Sequence, residues 1–395
     1  MGLRPKPVQY CLFVLLLLLA FAPLSAWDEA VPPAVHSPRL LLTPQRLKRL
    51  QRDRERQTVR WIDFENRVKS KPDSRQRGFE LALYYAVTGD KQRGKEAVQW
   101  MSQHPCDYIR QNALIIDWVG APEPPGLRNC PPDHDGGIQS LRDWLFVRIA
   151  TGHERGVESP LPQTLVQKAL ATPEELYALC EFLDVVRSNQ HADLREQQAE
   201  FFAKLPVRFL LSLRPDRLDH PWWEDHVSAL GLVALDPNLE SSQFLQGWAM
   251  EDRHMVRDGP GVGYEFLWAN PYLPGVSYQN METWLYEPNL VLARTDWSEQ
   301  ACWVGISATG VQQQNCPADW DSKPAPFGHL LLIPMTDRCV HPPVSTNTGA
   351  AILWKMKPHE KLTYTQNRER VAGTADAAGL WRVPANSQQR VCASR

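Results

Sequence analysis

The 395-residue chain has no CxxC pair and no HExxH, so a zinc site has no motif support. It has no G-x-S-x-G, the strand-to-helix turn on which α/β-hydrolases mount their serine. It has no concentrated basic patch: 43 Lys and Arg stand against 45 Asp and Glu, which excludes the footprint of a nucleic-acid-binding protein. Beyond the first 26 residues no run approaches the roughly 20 apolar residues that a membrane span requires. No segment carries a cofactor motif, and neither a cofactor nor a metal is expected.

The N-terminus has Arg4 and Lys6 without an acid, then the apolar run CLFVLLLLLAFA, then the small residues PLSA. This is the three-part pattern of a secretory signal, with a cut expected after Ala26 and a secreted or periplasmic mature chain, an uncleaved N-terminal anchor being the alternative. Eight cysteines include Cys11 of that leader, leaving an odd seven: Cys106, Cys130, Cys180, Cys302, Cys316, Cys339 and Cys392. Export permits disulfides, and the odd count leaves at least one thiol unpaired. Proximity suggests Cys106 with Cys130 and one pair among Cys302, Cys316 and Cys339.

From Thr43 to about Met255 the apolar residues recur at helical spacing. Thr43-Pro44 is a helix start, with an N-cap followed by proline at the first helical position. LALYYAVTGDKQRGKEAVQWM reads as two helices about a tight TGD turn. TPEELYALCEFLDVVRS, DLREQQAEFFAKLPVRFLLSL and WWEDHVSALGLVAL are further helices, and SSQFLQGWAMEDRHM closes the helical part. RDGPGVGYEFLWANPYLPGVSYQN then replaces periodicity with glycine, proline and aromatics. LVLARTDW, CWVGISAT, HLLLIPM and AAILWKM follow as short strands between turns. Helices first and strands after argue for an α+β multidomain chain. The expected division is a signal at 1–26, a helical domain at 27–262, a connecting loop at 263–286 and an antiparallel β domain at 287–395.

Three pieces in this order, PRLLLTPQRLKRL, LALYYAVTGDKQRGKEAVQWM and NLVLARTDWSEQACWVGISATG, resemble the heparinase II/III-like and alginate-lyase-like polysaccharide lyases. The resemblance implies an N-terminal (α/α) toroid followed by a small antiparallel β-sandwich. It also implies β-elimination on an acidic, uronate-containing polysaccharide, without a metal. The chain departs from the family where an H-x-H-x-D type motif is usual: ADWDSKPAPFGHLLLIPM keeps only Gly328-His329. The β region is also shorter than the family's sandwich.

Such an elimination needs a group that neutralises the carboxylate, a base and an acid converging on one cleft. The resemblance points to His226 in PWWEDH as neutraliser or base, and to Tyr278 in GVSY, with Tyr264 second, as base or acid. Trp222, Trp223, Glu224, Asn270 and Asn280 are the expected substrate-binding residues. Plainer readings stand beside these. Acids favour the first turn of a helix, tyrosines pack seams, and asparagines form turns. His329, and His254 with Arg253 and Arg257, are expected to be structural or solvated. Two other functions fit the same scaffold: a non-catalytic glycan-binding protein, and a toroid glycoside hydrolase pairing Glu224 or Asp225 with Glu251 or Asp252. The geometric requirement of the leading reading is that His226 and Tyr278 face one cleft.

Overall fold

The computed structural model describes residues 38–70, 74–127, 130, 137–152, 161–342, 350–366, 368–384 and 390–393. The expected signal segment lies outside the described residues. Among those described, thirteen α-helices precede twelve strands, an α+β arrangement as expected. The helices are α1 (Pro44–Glu55), α2 (Val59–Ser70), α3 (Arg77–Thr88), α4 (Lys91–Gln103), α5 (Ile109–Val119), α6 (Ile138–Ala150) and α7 (Gln163–Ala169). They continue with α8 (Pro173–Gln190), α9 (Ala199–Ser212), α10 (Pro215–Asp219), α11 (Trp223–Leu235), α12 (Glu240–Ala249) and α13 (Val262–Trp268).

Local chemistry sets the helix ends. Thr43 accepts the Arg46 N–H and Thr172 the Glu175 N–H, each capping a helix whose first residue is proline. In the TGD turn, Gly89 takes φ +72° and ends α3, while the Asp90 carboxylate accepts the N–H groups of Gln92 and Arg93 and starts α4. α13 corrects the expected boundary: Tyr264 stands on a helix rather than in a loop, and the first strand begins at Trp284. The glycines of GPGVGY hid this helix from periodicity, yet its seven residues are all buried.

The strands form three four-stranded sheets. β1 (Trp284–Glu287), β2 (Leu290–Arg294), β3 (Trp303–Ser307) and β4 (Gly310–Gln314) make an antiparallel meander. The second sheet joins β5 (Ala325–Phe327), β6 (Leu330–Pro334), β8 (Ala350–Trp354) and β11 (Trp381–Arg382). The third joins β7 (Cys339–Val340), β9 (Lys361–Gln366), β10 (Glu369–Thr374) and β12 (Val391–Ala393). The expectation of antiparallel pairing throughout is corrected at one place. β6 and β8 run parallel, Leu330 opposite Ala350 through Pro334 opposite Trp354, because the chain crosses through β7 in another sheet between them.

Alternation along the strands binds the layers. Leu292 and Trp303 turn to the helical core, while Val291, Ala293, Val304 and Ile306 pack with Phe327, Leu330, Leu332 and Ile352. Leu331, Ile333 and Leu353, on the other face of the second sheet, meet Leu362, Tyr364 and Val391 of the third. Disulfides join Cys106 to Cys130, Cys302 to Cys316 and Cys339 to Cys392, and Cys180 is a buried thiol. Among the described residues no helix is long and apolar enough to cross a membrane.

Candidate functional site

The first turns of α5, α6, α8 and α11 converge with α13 around a cavity of about 280 Å³. α5 contributes Arg110 and Gln111, α6 Gln139, Arg142 and Asp143, and α8 Glu174 and Tyr177. Trp223 and Glu224 come from α11, Tyr264 from α13, and Gln76 from the turn before α3. Every residue in a first turn leaves its backbone N–H group without a helical partner, so this wall is rich in donors.

Beneath the cavity lies a closed ionic network. Glu181, wholly buried in α8, accepts from Arg110 Nε at 2.8 Å and from Arg142 Nη1 at 3.1 Å. Tyr177 donates its hydroxyl to Glu181 and accepts from Trp268 Nε1 at 2.9 Å. Tyr264 donates to Gln76 Oε1 at 2.7 Å and accepts from Arg110 Nη1 at 3.1 Å. Burial works against the Arg110 charge, but Glu181 and then the two tyrosine oxygens outweigh it, and the guanidinium is held above its ordinary value. Burial raises the Tyr264 phenol against the opposing pull of Arg110, so it is a proton donor at neutral pH. Burial, and then the charges of Glu174 and Asp225, raise the Glu224 carboxyl.

The PWWEDH segment divides at this helix start. Trp223 and Glu224 line the cavity, with the Trp223 ring stacked on Tyr264 at 5.8 Å. Trp222, 65 % exposed, turns to a second cavity of about 510 Å³ against β2, where the Arg217 guanidinium lies 3.3 Å from its ring centre. Asp225 accepts the Trp222 N–H at 3.3 Å and pairs with Arg217, the plain role of an acid at a helix start.

His226 does not face either cavity. Its ring is 0 % exposed, and Nε2 donates to Glu265 Oε2 at 2.6 Å while Arg60 Nε holds the other carboxylate oxygen at 2.6 Å. The expected role as neutraliser or base is corrected accordingly: His226 ties α11 to α13 below the site. Burial alone would raise the Glu265 carboxyl, but His226 and Arg60 prevail and lower it. Tyr278 lies elsewhere, buried edge-on to Trp297 at 5.4 Å, with its oxygen 3.4 Å from Arg253 Nη2. The structure therefore does not bring His226 and Tyr278 to one cavity.

Asn270 is a turn former, its Oδ1 accepting the Tyr272 N–H, and Asn280 is exposed on a short 3-10 turn. Neither lines the cavity, nor does His329, which is exposed at the β5–β6 turn. Glu251 pairs with Arg253 and Asp252 with Arg257, and neither lines this cavity; the carboxylates that share it with Glu224 are Asp107, Asp143 and Glu174. Sequence reading missed Arg110, Arg142, Tyr177, Glu174 and Glu181. One signal was available: Glu181 interrupts the apolar run YALCEFLDVV, and a charge inside a buried helix needs partners. The chain matches no protein-family model and no curated protein sequence.

Proposed function

We propose that the protein is an exported carbohydrate-active protein whose saccharide site is the cavity at the helix starts. The observation that carries this is the wall itself: the half-buried ring of Trp223, backed by Tyr264, beside Gln76, Gln111, Gln139 and four carboxylates, the mixture that stacks on a sugar ring and bonds its hydroxyls. The volume suits about one or two sugar units. Three disulfides fit an exported chain, and the convergence of helix starts fits the toroid the sequence resembles.

The finer reading is β-elimination on a uronate. Arg142 and Arg110 face the sugar carboxylate and stabilise the charge that develops when the adjacent carbon loses its proton. Glu224, with its raised carboxyl, takes that proton. Tyr264, held protonated, gives its own to the departing glycosidic oxygen, and Arg110 and Gln76 fix its position. One observation favours a second reading. Asp107, Asp143, Glu174 and Glu224 outnumber the two arginines, both already paired with Glu181, which suits a neutral glycan and either binding alone or hydrolysis by Glu174 and Glu224.

Incubation of the mature protein with alginate-, heparan- and pectin-type glycans separates these. Ultraviolet absorbance of an unsaturated uronate, reduced about 100-fold or more in Tyr264→Phe, supports elimination. New reducing ends without that absorbance indicate hydrolysis, and saturable binding without product indicates a binding protein. No interaction with any glycan ends the proposal.

A further inference from the structure

Arg294, the last residue of β2, is wholly buried, and among the described residues none of its three guanidinium nitrogens has a hydrogen-bond partner. Its charge meets the face of Trp297, 4.5 Å from the ring centre. A ring face attracts the cation but satisfies none of its N–H groups, and burial lowers the guanidinium to about 10. The titratable groups that act on it are engaged elsewhere: the Tyr278 oxygen lies 3.4 Å from Arg253 Nη2, and Asp296 is exposed and accepts from the Ser298 N–H at 2.8 Å.

A second orphan adjoins it. Thr283 Oγ1 is buried and also without a partner. The Arg294 N–H donates to the Thr283 carbonyl at 2.9 Å, one step beyond the Trp284–Ala293 pair of the β1–β2 register. Directly opposed residues of an antiparallel pair project from the same face. Arg294 and Thr283 therefore share the face that carries Leu292 and Trp303 toward the helical core. Gly328 hems in the hydroxyl, since a Cβ there would collide with Thr283 Oγ1.

We propose that Arg294 and Thr283 form an internal site for one small monovalent inorganic anion of the halide class, at the seam between the helices and the first sheet. The single uncompensated cation sets the charge, complete burial sets the size, and the guanidinium and hydroxyl supply the donors. Neither residue lines the saccharide cavity, so the site stands or falls independently of that function.

Thermal unfolding of the full chain in chloride, bromide and gluconate salts at one ionic strength tests this. The unfolding midpoint rises with chloride or bromide but not with gluconate. Thr283→Val, which removes one hydrogen bond at constant shape, raises the chloride concentration for half of that rise about tenfold. Arg294→Met abolishes the rise. A wild-type midpoint indifferent to the anion, or an anion dependence that survives Arg294→Met, overturns the proposal. Should Arg294→Met fail to fold, chloride NMR line broadening decides. Broadening by the wild type that weakens in Thr283→Val supports the site, and no broadening by the wild type rejects it.

Discussion

Glu181 shows how much one side chain can hold. It compensates Arg110 and Arg142 and takes the Tyr177 hydroxyl, all within a fully buried space. Removing one partner of such a network leaves a charge uncompensated in low dielectric, typically at about 3–5 kcal/mol. Glu181→Gln is expected to lower stability by that order in denaturant unfolding, whereas Glu174→Gln at the cavity rim changes it little. Two buried groups contribute a loss of stability in acid. Glu265 is held below its ordinary 4.5, so the stability of its pairing with His226 and Arg60 is complete above that pH and is lost as pH falls through the lower folded value. His254, whose Nδ1 donates to the Trp248 carbonyl, is pushed down to about 4, chiefly by burial. The unfolded chain takes up this proton near 6.5 and the folded chain only near 4, so stability declines as pH falls between those values. Unfolding curves from pH 7 to 4 should show the decline, and His254→Asn should flatten it.

Among the elements, the helices with polar punctuation were the legible ones. Thr43-Pro44, Thr172-Pro173 and TGD act through their own backbone, so the expected starts and the hairpin turn are found where they were read. Asp90→Ala removes both bonds to the α4 N-terminus and should cost about 1 kcal/mol of stability, read from the unfolding midpoint. α13 was not legible, because Gly261 and Gly263 weaken helical propensity and what holds the helix is packing. Phe79 lies so close to Gly263 that a Cβ there would crowd its ring. Gly247 plays the same part in α12, where a Cβ would collide with the Val276 carbonyl. Gly247→Ala should therefore displace the 270–280 segment and expose it to protease, while Gly89→Ala acts only through its left-handed backbone, at about 1 kcal/mol.

At the scale of the molecule, the three sheets stack away from the helices through separate apolar cores, so the outermost is farthest from the main core. Its strands β7 and β12 pair through only two residues each, and the Cys339–Cys392 disulfide sits on that ladder. Closing a segment of this length restrains the unfolded chain by about 4 kcal/mol on the chain-entropy account, more than the shorter Cys302–Cys316 loop. Replacing Cys339 and Cys392 together by alanine should lower the unfolding midpoint more than the same change at Cys302 and Cys316.

The sequence by itself determined what acts over short distances: helix caps, strand alternation, the order of helices before strands, and the reason acids sit at the PWWEDH helix start. It could not assign a partner to a side chain. His226 and Tyr278 were joined by chemistry suited to one cleft, yet His226 is bound to Glu265, 39 residues onward, and Tyr278 packs on Trp297. Arg110, Glu181 and Tyr264 come together from three helices, with separations of 71 and 154 residues along the chain from Arg110. Only tertiary structure decides such meetings, because they depend on which helix faces a folded core brings to one point, and no local pattern encodes that distance.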